Sequence, residues 1–200
     1  DRTGAQTLVL ASGSQSRQAM LIAAGVSFEV CPAGIDERAL ESAMAEAASA
    51  EIARVLAVAK AQGVSADHAG RWVLGSDSLV VVDGRRFDKP TDRVEAAAHL
   101  RTFSGKKMEL HSAAALVRDG RCTWNVVSKA VLHVRSLSEP FIQAYLDAEW
   151  PQVAGCVGVF RIEARGVQLF DRIEGDHFTV LGMPLLEVLK ALREFEELAA

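Results

Sequence analysis

The run from Trp72 to Val82 reads Trp-Val-Leu-Gly-Ser-Asp-Ser-Leu-Val-Val-Val and closes on Asp83-Gly84. Apolar, mostly β-branched residues on both sides of a polar tetrad describe a buried strand, and such strands lie inside a sheet. Asp-Gly favours the two positive-φ positions of a tight hairpin, so a partner strand is expected at once. The tetrad Gly75-Ser76-Asp77-Ser78 is expected to interrupt the strand. An acid within an apolar strand is either partnered or functional, because burying an unpaired charge is costly.

The rest of the chain alternates two periods. Leu8 to Ala11 reads as a strand, Ser12-Gly13-Ser14 as a tight turn, and Arg17 to Ala24 as a helix stopped by Gly25. Phe28 to Val30 alternates like a short strand. From Leu40 to Gln62 the chain is Ala-rich, with Ile52, Val55, Leu56 and Ala59 at helical spacing, which predicts one long amphipathic helix ended by Gly63. Asp92 is a candidate N-cap for a helix over 94–103 closed by Ser104-Gly105. Residues 109–117 and 123–134 predict a hairpin about Asp119-Gly120. A helix is expected over 141–146, strands over 157–162 and 167–173, and a C-terminal helix from Pro184. With no repeat or linker, this is a mixed α/β chain, expected to form one domain over residues 7–198. Residues 1–6 are expected to be a disordered or appended lead.

Several classes of function are excluded. A net charge of −4 argues against wrapping a nucleic-acid polymer, although a local basic cluster can still hold a small anion. No apolar run is long enough to span a bilayer. Cys31, Cys122 and Cys156 form no CxxC pair, which argues against a disulfide framework or structural zinc and fits a reducing, cytoplasmic compartment. The chain has no GxGxxG, GxxxxGK[ST] or GxSxG, and its five histidines form no HxH or HExxH.

What remains is a set of polar residues where elements end or break. Ser12-Gly13-Ser14 precedes a helix whose free N–H groups and dipole favour an anion, and Arg17 adds a donor fork one turn on. The plainer alternative is that Ser14 caps the helix and Arg17 is solvated. Glu37 lies in a loop, Lys60 near the end of a helix, Asp77 in the strand and Lys89 before Pro90. Carboxylates for a hard cation and amines for phosphate oxygens are the parts of metal-assisted phosphoryl chemistry, though Glu37, Lys60 and Lys89 could each be surface charges.

Six blocks, LASGSQSR, LAVAKA, GSDSLVVVDG, DKPTDRVEAAAHLRTFSGK, AGCVGVFRIEARG and IEGDHFTVLGMPLLEVLKAL, stand in one order from about Leu8 to Phe195. Together they resemble the Maf family of nucleoside triphosphate pyrophosphatases. The resemblance implies an elongated mixed β-sheet flanked by helices with a cleft between two lobes, similar to the inosine triphosphatase fold. It implies hydrolysis between the α and β phosphates with Mg²⁺ or Mn²⁺ present, and a homodimer. Carried over by position, Asp77 matches the proposed proton acceptor, and Arg17, Glu37, Lys60 and Lys89 match polar residues of the cleft. Ser12 and Ser14 match the phosphate-binding turn. Glu37 and Asp77 are the expected metal ligands, and the sequence leaves open whether Asp77 acts as base or as ligand.

Ser16, Ser78 and Glu163 fall on the three base-linked positions. The family branch resembling dTTP and UTP pyrophosphatases carries Arg, Thr and Gln there, and the branch resembling 7-methyl-GTP pyrophosphatases carries Trp, Gln and Glu. Ser16 departs from both. Ser78 leans to the first branch, but Glu163 fits the second, since its carboxylate can accept paired hydrogen bonds from the N1–H and amine of guanine. A guanine-type or modified purine triphosphate is therefore expected ahead of dTTP and UTP. The alternative from another class is a nucleotide-binding regulatory protein linked to cell division, with little turnover.

Overall fold

A computed structural model describes residues 7–199; the expectation for residues 1–6 lies outside them. Seven strands form one mixed sheet, with helices along the chain between them. In chain order the elements are β1 (Leu8–Leu10), α1 (Gln15–Ala23), β2 (Phe28–Val30), α2 (Glu37–Ala43), α3 (Ser49–Ser65), β3 (Val73–Val82) and β4 (Arg85–Phe87). They continue with α4 (Arg93–Phe103), β5 (Lys107–Arg118), β6 (Arg121–Val134), α5 (Glu139–Glu149), β7 (Phe170–Glu174), α6 (His177–Leu181) and α7 (Leu185–Glu194). The sheet order is β2-β1-β3-β5-β6-β7, and β4 hangs on β3.

The chain packs as two compact units. The first holds residues 7–77, 112–128 and 182–199, and the second holds 78–111 and 129–181. In the first, β1 is buried throughout and runs parallel to β2 and β3, with Leu8 opposite Phe28 and Leu10 opposite Leu74. Parallel strands need crossovers, which α1 and the α2–α3 segment supply. Val9, Ala11, Ala61, Val64, Val73 and Val117 close the core between them. In the second unit, Phe87, Leu100, Phe103, Met108, Leu132 and Leu146 belong to one larger core, where Phe87 meets Phe103 edge-on at 4.9 Å. Both Asp-Gly pairs form the expected turns, with φ near 50° at Asp83 and Asp119 and near 73° at Gly84 and Gly120. Asp92 caps α4 by accepting from the Glu95 amide at 2.8 Å.

Five expectations are corrected. The single helix over 40–62 is two, broken after Met44, because the apolar stripe begins only at Ile52 and α2 buries no side chain. Gly63 does not stop α3, which runs on to Ser65; a Cβ there would stand 3.0 Å from Ile35 Cγ2, so its role is close packing. Residues 157–162 form no strand, since Gly158 and Val159 both take positive φ, and Val159 is buried by packing into the core instead. Residues 165–169 are a 3₁₀ turn, and only Phe170–Glu174 pairs with β6. The polar tetrad does not break β3, which is continuous through Asp77.

No helix among the described residues is long and apolar enough to cross a membrane. All three cysteines are free thiols.

Candidate active site

In the first unit the site grows from the end of β1. Ser14 is the N-cap of α1, and its Oγ accepts from the Arg17 amide at 3.4 Å. Ser12 Oγ accepts from the Ser14 amide at 3.2 Å and from Arg17 Nη1 at 3.2 Å. Arg17 Nε donates to the Gly182 carbonyl at 2.9 Å. The guanidinium is therefore held on two sides in a nearly buried position. Burial pushes its pKa below the usual value, while Asp77 and Glu37 pull it back up. Ser14 thus fills the capping role, and Arg17 is not the solvated side chain of the plainer alternative.

On β3, Gly75 and Asp77 project to the same face, because side chains alternate along a strand. Helix α3 lies against that face so closely that a Cβ on Gly75 would overlap the Ala57 carbonyl and stand 2.9 Å from the Ala61 Cβ. Lys60, on the same helix surface, reaches Asp77 with Nζ 2.7 Å from Oδ1. The same ammonium lies 2.8 Å from Glu37 Oε1. Asp36 caps α2 by accepting from the Ala39 amide, which sets Glu37 in the first turn.

Lys60 therefore bridges two carboxylates from two elements, and Asp77 Oδ2 is buried with no hydrogen-bond partner among the described residues. A buried polar atom without a partner costs about 1–3 kcal/mol, more when charged, so this oxygen is a candidate contact for a bound water, ion or ligand. Burial raises the pKa of Asp77, Lys60 and Arg17 lower it, and Glu37 raises it further; burial prevails. An acid so placed holds its proton more tightly than an ordinary carboxylate and is a better base once ionised.

The structure brings Ser12, Ser14, Arg17, Glu37, Lys60 and Asp77 into this unit, with Ser16 half-buried in the first turn of α1. Ser78, Lys89 and Glu163 belong to the second unit. There, Lys89 and Glu163 are exposed and both act on the Cys156 thiol, Glu163 raising its pKa and Lys89 lowering it, although burial is the largest cause of its rise.

Sequence reasoning missed Ser76. Its hydroxyl is fully buried, donating to the Ala113 carbonyl at 2.7 Å and lying 3.4 Å from the Gly182 carbonyl that also receives Arg17. Its place beside Asp77 in the tetrad was the available signal. Gly182 carried none, since its partner Arg17 is 165 residues away.

Carboxylate oxygens are donors suited in kind to a hard divalent cation. No cluster of three or more His, Cys, Asp or Glu donors that could hold a metal occurs among the described residues, so substrate oxygens and water would have to complete such a shell.

The Maf-like protein family matches residues 7–195. A Nitrobacter hamburgensis protein named nucleoside triphosphate pyrophosphatase is 50% identical over 93% of this chain and 92% of its own. A Rhizobium meliloti protein named 7-methyl-GTP pyrophosphatase is 44% identical over 94% of this chain and 95% of its own. A solved Mycobacterium abscessus nucleoside-triphosphatase, or dITP/XTP pyrophosphatase, overlaps loosely, with a TM-score of 0.36 and 19% identity over 64% of this chain and 73% of that one.

Proposed function

The chain belongs to the Maf-like protein family, and from that premise we propose that it is a nucleoside triphosphate pyrophosphatase, hydrolysing the α–β phosphoanhydride to a monophosphate and pyrophosphate. The observation that carries this reading is the Lys60 ammonium between Glu37 and Asp77, with one buried Asp77 oxygen left open. A site needing only stability would have satisfied that oxygen.

In this reading the Ser12-Gly13-Ser14 turn and Arg17 receive phosphate oxygens. Asp77 takes a proton from water as the water oxygen bonds to the α phosphorus. The bond from that phosphorus to the bridging oxygen breaks, and its electron pair leaves with pyrophosphate. Arg17, Lys60 and Lys89 offset the charge that gathers there. Glu37 and Asp77 would hold Mg²⁺ or Mn²⁺, which when bound supplies positive charge to the phosphate oxygens.

Base choice in this reading favours a guanine-type or 7-methylated purine. Glu163 is exposed on a turn, and its carboxylate matches the adjacent N1–H and amine of guanine, whereas thymine and uracil offer one N–H beside carbonyls. The 44% identical relative named for 7-methyl-GTP supports this choice. Ser16 and Ser78 complete the proposed base-linked set. We further propose a homodimer working in the cytoplasm; light scattering tests the first.

The test is pyrophosphate release from 7-methyl-GTP, GTP, dTTP, UTP and CTP with Mg²⁺ or Mn²⁺. Release that is fastest with a guanine nucleotide is expected. Faster turnover of dTTP or UTP overturns the base assignment, and saturable binding with every nucleotide recovered intact overturns the enzyme and leaves the regulatory alternative.

A further inference from the structure

We propose that Glu149 is the positioning residue of the base-recognition turn, an inference that rests on the reading of Glu163 as the base contact. Glu149 is the last residue of α5 and is 3% exposed, a carboxylate that hydrolysis does not use. Its Oε2 accepts from Arg161 Nε at 3.1 Å and Nη2 at 2.8 Å, and its Oε1 accepts from the Arg165 amide at 3.2 Å. One buried carboxylate therefore ties down both flanks of a five-residue segment whose centre is the exposed Glu163.

The segment is closed on itself as well. The Ala164 amide donates to the Arg161 carbonyl at 3.0 Å, and a Cβ on Gly166 would stand 2.5 Å from that same oxygen, so only glycine fits there. One turn earlier on α5, the buried Tyr145 hydroxyl donates to the Val159 carbonyl at 2.7 Å and holds the approach to the turn. Helix α5 thus fixes the backbone before Arg161, the side chain at Arg161 and the amide at Arg165. A carboxylate that must meet two donors on one base edge needs this, since freedom in the turn is lost on binding and weakens selective contact.

The experiment compares Glu149→Gln, Glu163→Gln and the double variant in kcat/KM for 7-methyl-GTP and dTTP, with thermal unfolding as the check on folding. Glu149→Gln is expected to lower the 7-methyl-GTP to dTTP ratio about 10-fold, the effect falling on KM rather than kcat. The double variant is expected to lower it no further than Glu163→Gln alone, because both changes remove the same contact. If Glu149→Gln does not fold, Arg161→Gln, at a side chain 33% exposed, loosens the same tie and takes its place. An equal loss for both nucleotides, with the ratio still sensitive to Glu163→Gln, overturns the positioning role and leaves Glu163 standing. A ratio unmoved by Glu163→Gln overturns the reading of Glu163 and the inference with it.

Discussion

A Cβ on Gly75 would stand 2.1 Å from the Ala57 carbonyl oxygen, so β3 and α3 meet backbone to backbone. Gly75 shares its strand face with Asp77, and Ala57 lies one helical turn before Lys60, so this close approach is what brings the Lys60–Asp77 pair to 2.7 Å.

Gly75→Ala is therefore expected to cost about 1–3 kcal/mol of stability as an overpacking change, and to lower pyrophosphate release as α3 is pushed back. Gly63→Ala, which meets only the Ile35 side chain at 3.0 Å, is the milder comparison. Denaturant melts and initial rates measure both. A Gly75→Ala protein as stable and active as the parent would show that the contact does not seat Lys60.

Asp77→Asn is expected to lower turnover roughly 10²-fold to 10⁴-fold, the range for losing a general base, with the fold kept. Steady-state rates and a thermal melt test this, and a variant within a few-fold of the parent removes Asp77 from the proton transfer. Ser14→Ala, which loses a helix cap, is expected to cost about 1 kcal/mol in stability and to affect rate less.

The pH dependence has a definite sign. Burial raises the Asp77 pKa above its ordinary 3.8, and a base must be ionised to act, so activity is lost as pH falls through that raised value. Lys60 is the largest influence opposing the rise, so Lys60→Met is expected to move the acid limb to higher pH. A limb that stays put, or moves down, in the pH profile of kcat/KM refutes the assignment.

Lys60→Met and Lys89→Met are each expected to weaken triphosphate binding far more than binding of the matching nucleoside, since the lost attraction is to phosphate charge. Calorimetric titration with the two ligands measures this. Equal weakening of both would place the lysines away from the phosphates.

His99 supplies a stability prediction within the second unit. Its ring packs edge-on against Phe87 at 5.1 Å, its Nδ1 is buried without a partner among the described residues, and burial lowers its pKa from the ordinary 6.5 despite Glu95. The folded chain then binds this proton more weakly than the unfolded chain. Stability is complete above pH 6.5 and declines as pH falls through that value, levelling below the folded pKa. His99→Gln is expected to flatten this slope in denaturant melts between pH 5 and 8, and an unchanged slope would assign it to other groups.

Asp77 was legible because an acid in an apolar run has few uses, and the Asp-Gly turns because two positive-φ positions leave few residue types. Arg17, Glu37 and Lys60 were legible as charges near element ends, but nothing in their spacing said that one ammonium would lie between Glu37 and Asp77. The segment over 157–162 misled for a related reason: an apolar run records burial, and burial was met by packing Val159 and Phe160 into a core rather than by strand pairing.

The sequence by itself determined which segments can be helix or strand, where the hairpins turn, and which polar residues stand where burial makes them costly. These are local properties, carried by side-chain period and by the backbone conformations each residue allows. Only the tertiary structure decided that Gly75 admits α3, that Lys60 spans two carboxylates, that the Gly182 carbonyl receives Arg17, and that Glu149 ties both flanks of the Glu163 turn. Each of these depends on which element covers which and how closely, and that is settled by the packing of the whole core.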